Sequence, residues 1–161
     1  MSYIMSMFIQ SDQPILSGEL AEFIDAGDFF EGTPVFKYSP PNSDQSKVWT
    51  SLDVSFSPRK RPIVFWNYSE PRKVAELVQA ATDDLKGNRA NASAAKIIQG
   101  LQATRRVIAG EFTHEAMTDN SWDMLDRLEQ HILSTHGGIL HAPNDGFYAA
   151  RDGMLEQVLR L

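Results

Sequence analysis

Glu111, His114 and Glu115 fall within one short stretch, with Asp119 close behind. One imidazole flanked by two carboxylates is the residue set of a divalent-metal site or an acid–base pair. The spacing matches no established ligand pattern, because there is no H-E-x-x-H and no pair of histidines at a fixed helical offset. A polar strand end running into a capped helix accounts for the same residues more simply. Glu111, His114 and Glu115 therefore stand as a speculative polar or metal site, with no metal and no cofactor expected. His136 and His141 bracket Gly137-Gly138 and would make a two-histidine site if the turn brought them together. A histidine in the last turn of a helix is explained as well by its interaction with the helix dipole.

Other catalytic signatures are missing. No G-x-S-x-G elbow and no Ser-x-x-Lys at a helix start supply a nucleophile. The Gly137-Gly138 doublet follows a helix, so it has no N-terminal amides with which to cradle phosphate. Walker and dinucleotide fingerprints are absent, and zero cysteines exclude thiolate chemistry and disulfides. Catalysis is thus not the leading expectation. A metal-dependent enzyme built on Glu111, His114 and Glu115 ranks last.

Large aromatic residues are the more suggestive feature. Trp49 is placed opposite Leu52 and Val54 on an alternating strand, and 63–68 carries Phe65 on one side with Trp66 and Tyr68 on the other. If helices cover one face of such a hairpin, some of these rings lie open, and contiguous exposed aromatics mark contact surfaces. Trp49, Phe65, Trp66 and Tyr68 are accordingly the interface candidates. Burial of both faces in a two-layer core is the competing explanation. Arg59-Lys60-Arg61, the basic run, reads as the solvated tip of this hairpin.

These residues need elements to position them. Tyr3–Ile9 is apolar on both faces and suits a central strand. Leu16, Leu20, Phe23 and Ile24 keep helical spacing up to Gly27. Val35–Tyr38, Val48–Phe56 and Ile63–Tyr68 read as strands, the last two as an antiparallel hairpin. Ser69-Glu70-Pro71, with the Ser69 hydroxyl as cap, opens a helix that closes at Gly87-Asn88, and a second helix spans about 91–104. Arg105–His114 is read as a strand, because Gly110 weakens a helix by ~1 kcal/mol relative to alanine. Thr118–Ser121 caps a helix ending at His136-Gly137-Gly138. Strands at 139–142 and 147–150 follow around Asn144-Asp145-Gly146. Residues 154–161 are either a last strand or a helical turn.

The expected architecture is α+β: antiparallel sheet or sheets with helices on one face, in two β-α-β-β units joined by a helical pair. That pattern resembles ferredoxin-like and ACT-type folds. At 161 residues one domain, 1–161, is expected, with pseudo-repeated halves at about 1–68 and 105–161 bridged by helices in 69–104.

A net charge of −6 argues against nucleic acid as the main partner. No run of ~18 apolar residues would span a membrane. Met1–Met7 lacks the basic region of a signal peptide, and with the missing cysteines this fits the cytoplasm. The leading expectation is a non-catalytic protein-interaction or self-associating module, a homo-oligomer (dimer), with a protein partner in an immunity- or antitoxin-like version. The runner-up is an ACT-like domain that binds a small molecule.

Overall fold

The computed structural model describes residues 1–88 and 91–161. The elements run β1 (Ser2–Ile9), α1 (Ser17–Ala26), β2 (Val35–Ser39), β3 (Ser51–Ser55), β4 (Ile63–Tyr68), α2 (Pro71–Asp83), α3 (Ala92–Gln102), β5 (Arg106–Thr113), α4 (Asp119–His136), β6 (Gly138–Ala142), β7 (Gly146–Arg151) and β8 (Met154–Arg160), with 3-10 turns at Lys86–Asn88 and His114–Ala116. The fold is α+β: among the described residues there are four α-helices and one open eight-stranded antiparallel sheet in the order β2-β3-β4-β5-β1-β6-β7-β8. Residues 106–113 form a strand, and the tail takes the strand alternative as β8.

The chain divides into two compact units. The first holds Met1–Ile4, Gln13–Asn67 and Ala109–Leu128, and the second Met5–Asp12, Tyr68–Ile108 and Glu129–Leu161.

In the first unit β3 pairs antiparallel with both β2 and β4, which confirms the hairpin. Registers Phe36↔Val54↔Ile63 and Tyr38↔Leu52↔Phe65 put two neighbouring apolar rows on a single pleat face. Helix α1 packs against β3, and Leu20, Ala21 and Ile24 of α1 are buried together with Leu52, Val54, Ile63 and Phe65. On the same face, a Cβ at Gly110 would lie 3.3 Å from Phe65 and 3.7 Å from Leu125 of α4. The glycine lets ring and helix close over β5. Helix α1 lacks a side-chain cap. Its Gly18 amide instead donates to the Asp44 carbonyl at 2.9 Å, an approach that a side chain at position 18 would block.

The second unit is covered on both faces, which corrects the expectation of helices on one face only. Phe8, Ile139 and Phe147 share a cluster with Val74, Ala81 and Leu85 from α2 and its end, and with Ala94, Ile97 and Leu101 of α3. Met7, Ile9, Leu140 and Ala142 point the other way and are buried too. The β1–β6 pairing is close: Gly138, at φ +144°, leaves no room for a Cβ against the Phe8 carbonyl. Asp152 and Gly153, at φ 52° and 76°, make the tight turn from β7 to β8.

Two local details differ from the sequence reading. Strand β3 starts at Ser51 instead of Val48, so the alternation inferred for 48–56 breaks at its start. Val48 is 79% exposed and Trp49 is buried, the reverse of their expected faces. Helix α2 is capped by the carboxylate of Glu70, which accepts from the amides of Arg72 and Lys73, and not by the Ser69 hydroxyl.

Candidate functional site

The open face of the first unit's sheet is the pleat opposite α1. Cross-strand pairs Val35↔Ser55, Lys37↔Asp53, Asp53↔Val64 and Ser51↔Trp66 define it. Val35 is 66% exposed, Lys37 is exposed, and Asp53, Val64 and Trp66 are half-buried. This alternation against a closed row of Leu52, Val54, Ile63 and Phe65 is the pattern of a sheet with one face packed and one free.

The four interface candidates separate. Trp66 lies on the open face, where its indole N–H donates to Oε2 of Glu111 at 2.8 Å. Phe65 faces α4 and is fully buried. Trp49 is buried as well, its indole N–H donating to the Ile15 carbonyl at 2.8 Å while the Trp49 backbone carbonyl accepts from the Asn67 side-chain amide. Of these rings Trp66 is the one on the open face, since neither Phe65 nor Trp49 is exposed. The reason is the pleat for Phe65 and the indole bond for Trp49. Tyr68 belongs to the second unit, half-buried against its core with the Lys73 ammonium 5.6 Å from the ring centre.

Glu111, His114 and Glu115 do not converge. Glu111 turns to Trp66. His114 joins a group of rings, its centroid 5.2 Å from Tyr3, 5.9 Å from Phe112 and 6.0 Å from Trp122. Glu115 is exposed, and its backbone carbonyl accepts from the Lys60 ammonium at 3.3 Å. Among the described residues no three His, Asp or Glu side chains form a group that would hold a metal ion. A strand residue and two residues of the following turn point in different directions, which dissolves the cluster suggested by their closeness in sequence. His141 turns to Asp84 and Phe147. It lies in the second unit, its Nε2 2.9 Å from Asp84 and its ring stacked on Phe147 at 4.6 Å. Burial lowers its pKa below the ordinary histidine value, against the opposing pull of the Asp84 carboxylate.

A feature missed by sequence reasoning sits beside Glu111. A cavity of about 350 Å³ lies between the start of β4 and the end of β5, lined by Arg61, Pro62, Val64, Glu111, Phe112 and Thr113, with Ser2 at its rim. Arg61 and Glu111 are far apart in sequence, and only the antiparallel path of the strands brings them to one cavity.

No helix among the described residues is long and apolar enough to cross a membrane. No protein-family model, curated protein or solved structure matches the chain.

Proposed function

We propose that this protein is a non-catalytic binding module that self-associates through the open sheet face of its first unit. The observation carrying this reading is that exposed Val35 and half-buried Val64 and Trp66 share the open pleat of the sheet, opposite the buried Leu52, Val54, Ile63 and Phe65. Covering this face with a second copy removes apolar surface from water on both sides at once.

Charge distribution supports the choice of face. The first unit has twelve acidic and six basic side chains, so it carries all of the net −6, while the second unit has nine of each. The acidic excess sits elsewhere in the first unit: on α1 and the loop after it (Glu19, Glu22, Asp25, Asp28, Glu31) and around the start of α4 (Glu115, Asp119, Asp123, Asp126). The open face balances Lys37 and Arg61 against Asp53 and Glu111. Two copies would therefore meet there without strong like-charge repulsion.

The test is native mass spectrometry of untagged protein across a dilution series. A dimer that is lost in Val35→Glu and weakened in Trp66→Ala, with the thermal midpoint of Val35→Glu retained, is the expected result. A monomer at every concentration overturns the reading, as does a dimer indifferent to both substitutions.

A ferredoxin- or ACT-like role in small-molecule regulation is the second reading. It draws support from the order of elements, β1-α1-β2-β3 and β5-α4-β6-β7, and predicts a thermal shift with a metabolite.

A further inference from the structure

The cavity beside Glu111 contains two opposite charges that do not meet each other. Arg61 has no carboxylate within 4 Å and no hydrogen-bond partner among the described residues. Glu111 has no cation within that distance. Its Oε2 is held by the Trp66 indole, and its Oε1 accepts nothing from the described protein. Both side chains nevertheless line the same cavity. The rest of the wall is apolar at Pro62, Val64 and Phe112 and hydroxylic at Thr113, which is itself buried.

We propose that this cavity binds a small zwitterion carrying a carboxylate and an ammonium group, a free amino acid, with Arg61 on the carboxylate and Glu111 on the ammonium. This goes beyond self-association and is a second use of the same face, since Arg61, Val64 and Glu111 also belong to the surface proposed for self-association. About 350 Å³ is at the lower end of small-molecule sites, which run from ~300 Å³ upward. A guanidinium takes a carboxylate through two parallel N–H donors, a geometry that an ammonium side chain would not give. The carboxylate of Glu111 matches the three donors of a ligand ammonium. Trp66 fixes the position of Glu111 before any ligand arrives, so little ordering is left to binding at that end. Pro62 and Val64 face the ligand's carbon skeleton, while the Phe112 ring packs the other way, 5.1 Å from Trp122. A singly charged ligand would leave one protein charge facing the cavity without a partner, so both charges are needed for selection.

The experiment is isothermal titration of the full chain with a panel of amino acids in which the separation of the two charges and the side chain vary: glycine, β-alanine, 4-aminobutanoate, L-leucine and L-phenylalanine. The best binder is then compared with its analogue lacking the amine and its analogue lacking the carboxylate. The expected result is saturable binding by at least one panel member and at least tenfold weaker binding by each analogue. Arg61→Gln and Glu111→Gln should each weaken it at least tenfold, and Glu115→Gln should leave it unchanged. Glu111→Gln keeps an oxygen for the Trp66 indole, so an unchanged thermal midpoint separates lost recognition from lost fold. Absence of binding by every panel member at millimolar concentration overturns the proposal. Equal binding by either singly charged analogue also overturns it, since the site would then read one charge alone. Full affinity in both variants would place any binding elsewhere.

Discussion

The indole N–H of Trp49 donates to the backbone carbonyl of Ile15 at 2.8 Å, and both residues are shut off from water. The bond ties the segment before β3 to the residues leading into α1. Trp49→Phe retains much of the ring and removes the donor, leaving a buried carbonyl short of a partner. Urea denaturation should show a loss of ~1–3 kcal/mol. An unchanged midpoint would mean that water or a neighbour replaces the bond.

Glu70 and Ser69 are distinguishable as caps of α2. Glu70→Ala removes the acceptor for two amides of the first turn and should cost ~0.5–2 kcal/mol. Ser69→Ala should leave stability unchanged. The same denaturation experiment decides, and a reversal of the two effects would return the cap to the hydroxyl.

Asp126 is exposed on α4, and its pKa is raised by partial desolvation first and by the Asp123 carboxylate second. Its folded pKa exceeds its unfolded one, so its contribution to stability is complete below the unfolded value and is lost as pH rises through the folded value. At neutral pH the charge is a burden. Asp126→Asn should raise the thermal midpoint there by an amount worth less than ~1 kcal/mol, given the side chain's exposure. The gain should vanish as pH falls below ~4. A gain that persists in acid would assign the effect to packing.

His141 runs the opposite way. Burial lowers its folded pKa, so the neutral ring is favoured and stability is complete above the unfolded value of 6.5 and lost as pH falls through the folded one. The urea midpoint should drop between about pH 8 and about pH 5, and His141→Gln should flatten that drop. Asp84→Asn removes the carboxylate that opposes the shift, so the ring should titrate at still lower pH by NMR. A ring that titrates unchanged in that variant would deny the Asp84 contact its electrostatic role.

Gly138→Ala places a methyl group against the Phe8 carbonyl at a φ of +144°. It should separate β1 from β6 and destabilise the chain by more than the ~1–3 kcal/mol of backbone strain alone. Hydrogen exchange would find the loss of protection centred on the Ile9 and Gly138 amides.

Local chemistry made much of this fold legible. The helix starts at Glu70-Pro71 and Asn91, the hairpin around Arg59-Lys60-Arg61, and the β7–β8 turn at Asp152-Gly153 all follow from residues within a few positions of each other. Gly110 was also informative: it argued for a strand, and the structure supplies the reason in Phe65 and Leu125 closing over it. The orientation of Trp49 depends on Ile15, a partner that periodicity does not reveal. The neighbours of β1, which are β5 and β6, are equally non-local. So is the meeting of Arg61 with Glu111 at one cavity. In the sequence alone one reads as a hairpin tip and the other as a metal ligand, and only strand pairing gives them a shared environment.

The interleaving of the two units bears on how this chain can be made and cut. The first unit needs residues up to Leu128 and the second needs residues up to Leu161. During synthesis, neither is complete until most of the chain has left the ribosome, and vectorial folding of an N-terminal half has nothing finished to settle into. Strands β1 and β5 and helix α4 each supply residues to both units. Cleavage within any of the three would therefore deprive both units together. A truncation series should lose cooperative unfolding abruptly, without leaving a stable fragment behind.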